Sequence, residues 1–133
     1  MGHFKDIEEA RGFLVKDRFA TANGIALEEL NEGSCVCSIN IREDHRNALG
    51  NIMGGVIFTL ADLAFAIITN NVHYPTVALD SDIRYLSSSK GENLIAKASL
   101  VKSGKTTSTV SISVYDEFDK LIALFTGTGF KLQ

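Results

Sequence analysis

The chain has 133 residues, 45% hydrophobic and 22% charged, with 13 basic against 16 acidic side chains and a formal net charge of −3. That length predicts one domain (residues 1–133) with a real core, in the composition range of soluble globular proteins. The scattered Lys and Arg form no basic stripe for nucleic acid, and the mild acidity weighs against an anionic membrane surface.

Residues 4–20 place Phe4, Ile7, Phe13, Leu14 and Phe19 at helical spacing among charged residues, which predicts one short N-terminal surface helix. The first nine residues are charged and show no apolar signal region, so a cytoplasmic protein is expected. Asn23-Gly24 and Glu32-Gly33 read as turns around strands at 25–30 and 34–41. Cys35 and Cys37 are two apart and share a strand face with Ile39. Such neighbours do not suit a disulfide, and no second Cys or His pair completes a metal set, so buried thiols in a reducing compartment are expected.

A polar loop, 42–51, leads into an apolar run of eighteen residues, Ile52 to Thr69, ending near Asn70-Asn71. The run approaches membrane-spanning length, but it holds Gly54-Gly55 and a central Asp62 and lacks basic anchors at its ends. A helix buried inside protein explains it better. Four strands follow, at 76–86, 93–102, 106–115 and 121–132, separated by turn-like segments; such short links predict that successive strands are antiparallel neighbours. The expected architecture is α+β: about six antiparallel strands wrapped around one long apolar helix. One sheet covers only one side of that helix, and the same helix of a second copy is the economical cover for the rest.

Asp62 carries the chemistry. An ionised carboxylate removed from water costs several kcal/mol or more unless paired or hydrogen-bonded. The unit Asn47-x-x-Gly50-x-x-Met53-Gly54-Gly55, followed by Thr59-Leu60-Ala61-Asp62, sets it on the same helix as a bare glycine start. Glycines there let a ligand approach free N–H groups at the positive end of the helix dipole, which suits a developing oxyanion. Asp62 lies eight residues past Gly54, about 12 Å along the axis at 1.5 Å per residue, too far to serve the same carbonyl. Two antiparallel copies of the helix would instead bring Asp62 of one subunit to Gly54 of the other.

With His45-Arg46-Asn47, Gly50, Gly54-Gly55 and Leu60-Ala61-Asp62 in this order and spacing, the chain resembles the hotdog-fold acyl-CoA thioesterases, specifically their PaaI-like branch. The resemblance covers residues from about 20 to 132, and the helix following two strands is similar to that fold. It implies hydrolysis of an acyl-CoA thioester by a dimer or dimer of dimers, with no metal and no cofactor beyond the coenzyme A of the substrate. Asp62 would be general base or nucleophile, the Gly54 N–H the oxyanion donor, and Asn47 would orient water or the carbonyl. Gly55 and Met53 would border the substrate, Met53 as a wall of the acyl pocket. Two departures stand out: Met53 replaces the signature histidine before Gly-Gly, and Ala78 takes a position where some relatives carry a water-orienting serine. Both imply slower turnover.

Arg84, Lys90, Lys102 and Lys105 are candidates for the phosphates of coenzyme A, although lysines at hairpin turns are also common surface residues. His45 and His73 read as loop residues, His3 as uninformative, and Asp80 and Asp82 as solvated strand positions. Rival readings remain for Asp62: a pocket that binds acyl-CoA without hydrolysing it, a hydratase or dehydratase, or a structural carboxylate at a dimer seam. The hydratase would need a histidine partner at short helical spacing after Asp62, and none is present.

Overall fold

The computed structural model describes residues 2–133. Two short helices come first, α1 (Ile7–Leu14) and α2 (Arg18–Ala22), where the spacing predicted one. Asp17 explains the break. Its carboxylate accepts the Ala20 N–H at 3.0 Å and restarts the helix as an N-cap. The change of direction buries both Leu14 and Ala20 and turns Phe19 outward, 68% exposed, against the expectation that it would pack inward.

The strands are β1 (Ala26–Asn31), β2 (Ser34–Asn40), β3 (Thr76–Tyr85), β4 (Asn93–Ser103), β5 (Thr107–Asp116) and β6 (Leu121–Lys131), each within one residue of the predicted ends. Between β2 and β3 runs α3 (Gly54–Val72). Cys35, Cys37 and Ile39 are all buried on one face of β2, as their spacing predicts.

The sheet order is β1-β2-β4-β5-β6-β3, antiparallel throughout. It corrects the expectation that β3 and β4 are neighbours: β3 pairs with β6, and β4 lies between β2 and β5. Crossing from β3 to β4 spans three strand spacings, about 14 Å. The seven residues 86–92 can extend to about 23 Å, so a link short enough for a hairpin also suffices for the crossover. The crossing is held from below. Ser87 Oγ donates to Leu121 O (2.6 Å), Ser89 Oγ to Asp116 (2.7 Å), and Lys120 Nζ to Ser88 O (2.7 Å).

The sheet curls around α3, burying twelve of its nineteen residues. Leu60, Ile67 and Ile68 pack with Val110, Ile112 and Val114 in the core. Phe125 meets the rings of Phe58 and Phe65 at centroid distances of 5.5 and 6.0 Å. Gly127 is required for that approach, since a Cβ there would sit 2.8 Å from the Phe65 ring. The helix is apolar and long enough to cross a membrane, but most of it lies inside the protein. A stripe stays uncovered: Gly55, Thr59, Asp62 and Ala66, at spacings of four, three and four. Beside it β3 forms a sheet edge with Val77 and Leu79 exposed.

Candidate active site

The loop from β2 to α3 is built around a histidine. His45 ends a 3₁₀ turn (Glu43–His45) and is 1% exposed, with both ring nitrogens engaged. Its Nδ1 accepts the Arg42 N–H at 2.9 Å, so the proton lies on Nε2, which donates to Asn23 Oδ1 at 3.1 Å. Burial, and then the positive charge of Arg42, push its pKa down and favour the neutral ring. Its carbonyl accepts the Met53 N–H at 2.9 Å, and an Arg46–Ile52 bridge closes the loop. His45 thus sets where α3 begins, a structural task that its place in a polar loop did not reveal.

Asn47 lies in this loop, exposed. Its Oδ1 accepts the N–H groups of Leu49 (3.0 Å) and Asn51 (3.1 Å), which commits the oxygen to the turn and leaves the Nδ2 hydrogens for a ligand. Donation to a carbonyl therefore fits this geometry better than acceptance from water.

At the start of α3 no side chain caps Met53, and no acidic residue occupies the first turn. The N–H groups of Gly54 and Gly55 have no acceptor among the described residues. Bare donors and an uncompensated dipole make this the place in the fold prepared for negative charge. The two glycines have different neighbours. A Cβ on Gly54 would come within 3.2 Å of the Tyr85 ring, whereas one on Gly55 would meet only the terminal methyl of Met53, at 2.9 Å. The Tyr85 hydroxyl donates to Gly54 O at 3.1 Å.

A cavity of about 420 Å³ opens beside Gly54, floored by Ile52, Ile57 and Ile122 and walled by Tyr85 and the crossover residues Leu86 to Ser89. On the other flank of the helix start a smaller cavity, about 240 Å³, is bordered by Phe19, Met53, Gly55 and Thr59. The paired glycines stand between the two.

Asp62 is half-buried on the uncovered stripe, two helical turns beyond Gly55. Loss of water and then the negative charge of Asp17 push its pKa up. Asp17 heads α2, which packs against α3. Its effect on Asp62 was not legible in the sequence, because a packed helix pair, not spacing along the chain, brings the two together.

The remaining candidates divide. Met53, Gly54 and Gly55 stand together at the helix start, and Asn47 lies in the loop that leads to it. Ala78 faces the far half of α3, pairing with Gly129, whose Cβ would lie 3.2 Å from Thr69. Arg84 adjoins Tyr85 but pairs with Leu124 on the outer sheet face. Lys105 lies in the β4–β5 turn, beyond Thr107. Thr107 is seven strand residues from the Val114–Ala123–Tyr85 row, about 23 Å, so within one protomer Lys105 does not share a site with Gly54. Lys90, on the crossover, is the nearer cation in sequence to the cavity-lining Ser88 and Ser89.

The sequence profile of the thioesterase superfamily matches residues 49–123, a span that includes the glycine pair and Asp62. Acyl-coenzyme A thioesterase PaaI of Escherichia coli is 30% identical over 133 residues, covering 99% of this chain and 94% of its own. Acyl-coenzyme A thioesterase 13 of Homo sapiens is 33% identical over 103 residues, 74% of each chain. The solved structure of the E. coli PaaI protein from the phenylacetic acid degradation operon matches with a TM-score of 0.90 at 28% identity, over 96% of this chain and 93% of that one. The chain therefore belongs to the thioesterase superfamily, with the hotdog fold of its PaaI-like branch, and is a thioester hydrolase.

Proposed function

We propose that the protein hydrolyses acyl-CoA thioesters at a site completed by a second copy of itself. The observation that carries this reading is the uncapped Gly54-Gly55 helix start beside an apolar cavity, with Asp62 on the uncovered stripe of the same helix. The relatives named as acyl-coenzyme A thioesterases supply the substrate class. The uncovered stripe and the open β3 edge with its exposed Val77 and Leu79 support a dimer in which two such stripes pack antiparallel.

In this reading the thioester carbonyl accepts from the Gly54 N–H, with Asn47 Nδ2 as a further donor. Asp62 of the second copy takes a proton from water as the oxygen attacks the carbonyl carbon. The tetrahedral oxyanion forms at the dipole end, where donors are already in place. It collapses with cleavage of the C–S bond, the thiolate of coenzyme A leaves and is protonated, and the free acid departs. A raised pKa makes Asp62 a stronger base than an ordinary carboxylate. The same carboxylate acting as nucleophile would expel the thiolate and form a mixed anhydride. Water attack on the Asp62 carbonyl carbon then breaks the aspartyl C–O bond and leaves one Asp62 oxygen in the product acid, an outcome that single-turnover hydrolysis in ¹⁸O water detects. The reaction takes no cofactor beyond the coenzyme A of its substrate, and a cytoplasmic setting suits both that substrate and the free thiols of Cys35 and Cys37.

The test is thiol release from short, medium, long and aryl acyl-CoAs by the wild type and Asp62→Asn, with light scattering to report mass. Release abolished in a still-dimeric Asp62→Asn variant is the expected result. Stabilisation by acyl-CoA without any release would establish instead a non-catalytic binder, the reading favoured by Met53 and Ala78 at the two departures from the family pattern.

A further inference from the structure

The 420 Å³ cavity has three walls fixed by the fold. Ile52, Ile57 and Ile122 are core residues, 8%, 6% and 1% exposed. The serine rim is pinned to the β5–β6 turn: Ser87 Oγ donates to Leu121 O, Ser89 Oγ to Asp116, and the Leu86 N–H to Ile122 O at 2.8 Å. None of the lining residues is charged, so the cavity suits an uncharged group.

The fourth wall is of another kind. Tyr85 is the last residue of β3, 52% exposed, and its ring is tied across the helix start by one hydrogen bond, hydroxyl to Gly54 O. A side-chain rotation moves it, whereas Ile52, Ile57 and Ile122 are held in the core and Ser87 and Ser89 by their hydrogen bonds. Its position is also the one that matters for selection. The space above Gly54 is so occupied by the ring that an added Cβ would lie 3.2 Å from Cζ and 3.3 Å from Oη. A group bound beside Gly54 therefore passes close to the phenolic end of the Tyr85 ring. A planar or unbranched group fits that slot; a group branched next to its carbonyl collides with the ring.

We propose that Tyr85 is the specificity-determining residue of this site, admitting planar or unbranched apolar acyl groups and excluding those branched beside the carbonyl. The assignment of the bound group as acyl rests on the thioesterase reading, but selection by the ring is measurable without turnover.

The experiment uses CoA thioethers that retain the carbonyl but have no thioester to cleave. One is S-phenacyl-CoA, planar beside the carbonyl; the other is S-(3,3-dimethyl-2-oxobutyl)-CoA, with a tert-butyl group there. Dissociation constants are measured by calorimetry for the wild type, Tyr85→Phe, Tyr85→Ala and Tyr85→Trp. Wild type and Tyr85→Phe are expected to favour the planar analogue by about tenfold or more, the scale at which a pocket wall discriminates apolar groups. Tyr85→Ala is expected to bring the two constants together, and Tyr85→Trp to widen the gap. A ratio unchanged in Tyr85→Ala, a ratio lost equally in Tyr85→Phe, or binding of neither analogue to the wild type would overturn the proposal. Thiol release from the matching benzoyl and pivaloyl esters reads the other question. No release together with a shifted binding ratio sinks the hydrolytic reading and leaves the Tyr85 gate standing.

Discussion

Asp17, the carboxylate that caps α2, adds its negative charge to the burial that pushes the pKa of Asp62 on α3 upward. Like charges disfavour joint ionisation, so an N-cap doubles as a control on the proposed base. Asp17→Asn keeps the cap, because an amide oxygen accepts the Ala20 N–H as well as a carboxylate does. The acidic limb of the pH profile of kcat/KM is expected to move to lower pH in this variant, with melting temperature little changed. An unmoved limb would show that Asp17 does no more than start a helix.

Asp62 also predicts a pH-dependent stability difference of known sign. Its folded-state pKa is raised, so ionisation is harder in the folded than in the unfolded protein. Its stabilising contribution is present below the unfolded-state pKa and lost as pH rises through the folded value. Asp62→Asn should match the wild type in acid and exceed it in thermal stability at neutral pH, while turnover falls by about 10²–10⁴-fold, as for loss of a general base. Scanning calorimetry across that range, beside thiol release, checks both.

The two glycines at the start of α3 should respond differently to the same substitution. In Gly55→Ala the new methyl meets only the flexible end of Met53, which can turn aside. In Gly54→Ala it meets a ring held by its own hydrogen bond, at the donor proposed for the oxyanion. Gly54→Ala is expected to lower kcat/KM by about tenfold or more, against 10²–10³ for deletion of an oxyanion donor, because the N–H remains but its approach is obstructed. Gly55→Ala should stay within a few-fold. Steady-state kinetics on the two variants decides it.

Asp116 is the anchor beneath the cavity. It is 2% exposed and accepts from Ser89 Oγ (2.7 Å), Phe118 N (2.9 Å) and Lys120 N (3.0 Å). Burial pushes its pKa up, but these donors outweigh burial and hold it below the usual carboxylate range. Its contribution is present above the unfolded-state pKa and lost as pH falls through the folded value, so Asp116→Asn should narrow the stability gap between neutral and acid pH. Asp116→Ala leaves those donors without their partner, at about 1–3 kcal/mol for each that remains unsatisfied, and should lower the melting temperature. Loosening of the crossover should weaken ligand binding in the same variant. Denaturant titration at two pH values measures the effect.

Much of this protein was legible along the chain because its signals are local. Strand alternation set every strand end to within a residue, and the Cys35, Cys37, Ile39 face was read correctly from a period of two. The apolar run with Gly54-Gly55 and Asp62 showed a buried helix bearing both a bare start and a carboxylate, since each property belongs to one short segment. Sheet order was not local: the 86–92 link is compatible with a hairpin or a crossover, and the choice depends on β6 filling the place beside β3. The break at Asp17 is not local either, as burying both Leu14 and Ala20 requires a core for them to turn toward. The same holds for Tyr85 against Gly54, Asp17 beside Asp62, and His45 locking the loop to Asn23. Helix and strand positions can be read along the chain, because periodicity, capping and glycine geometry act over a few residues. Which side chains meet across the site depends instead on how a twisted sheet closes around one helix.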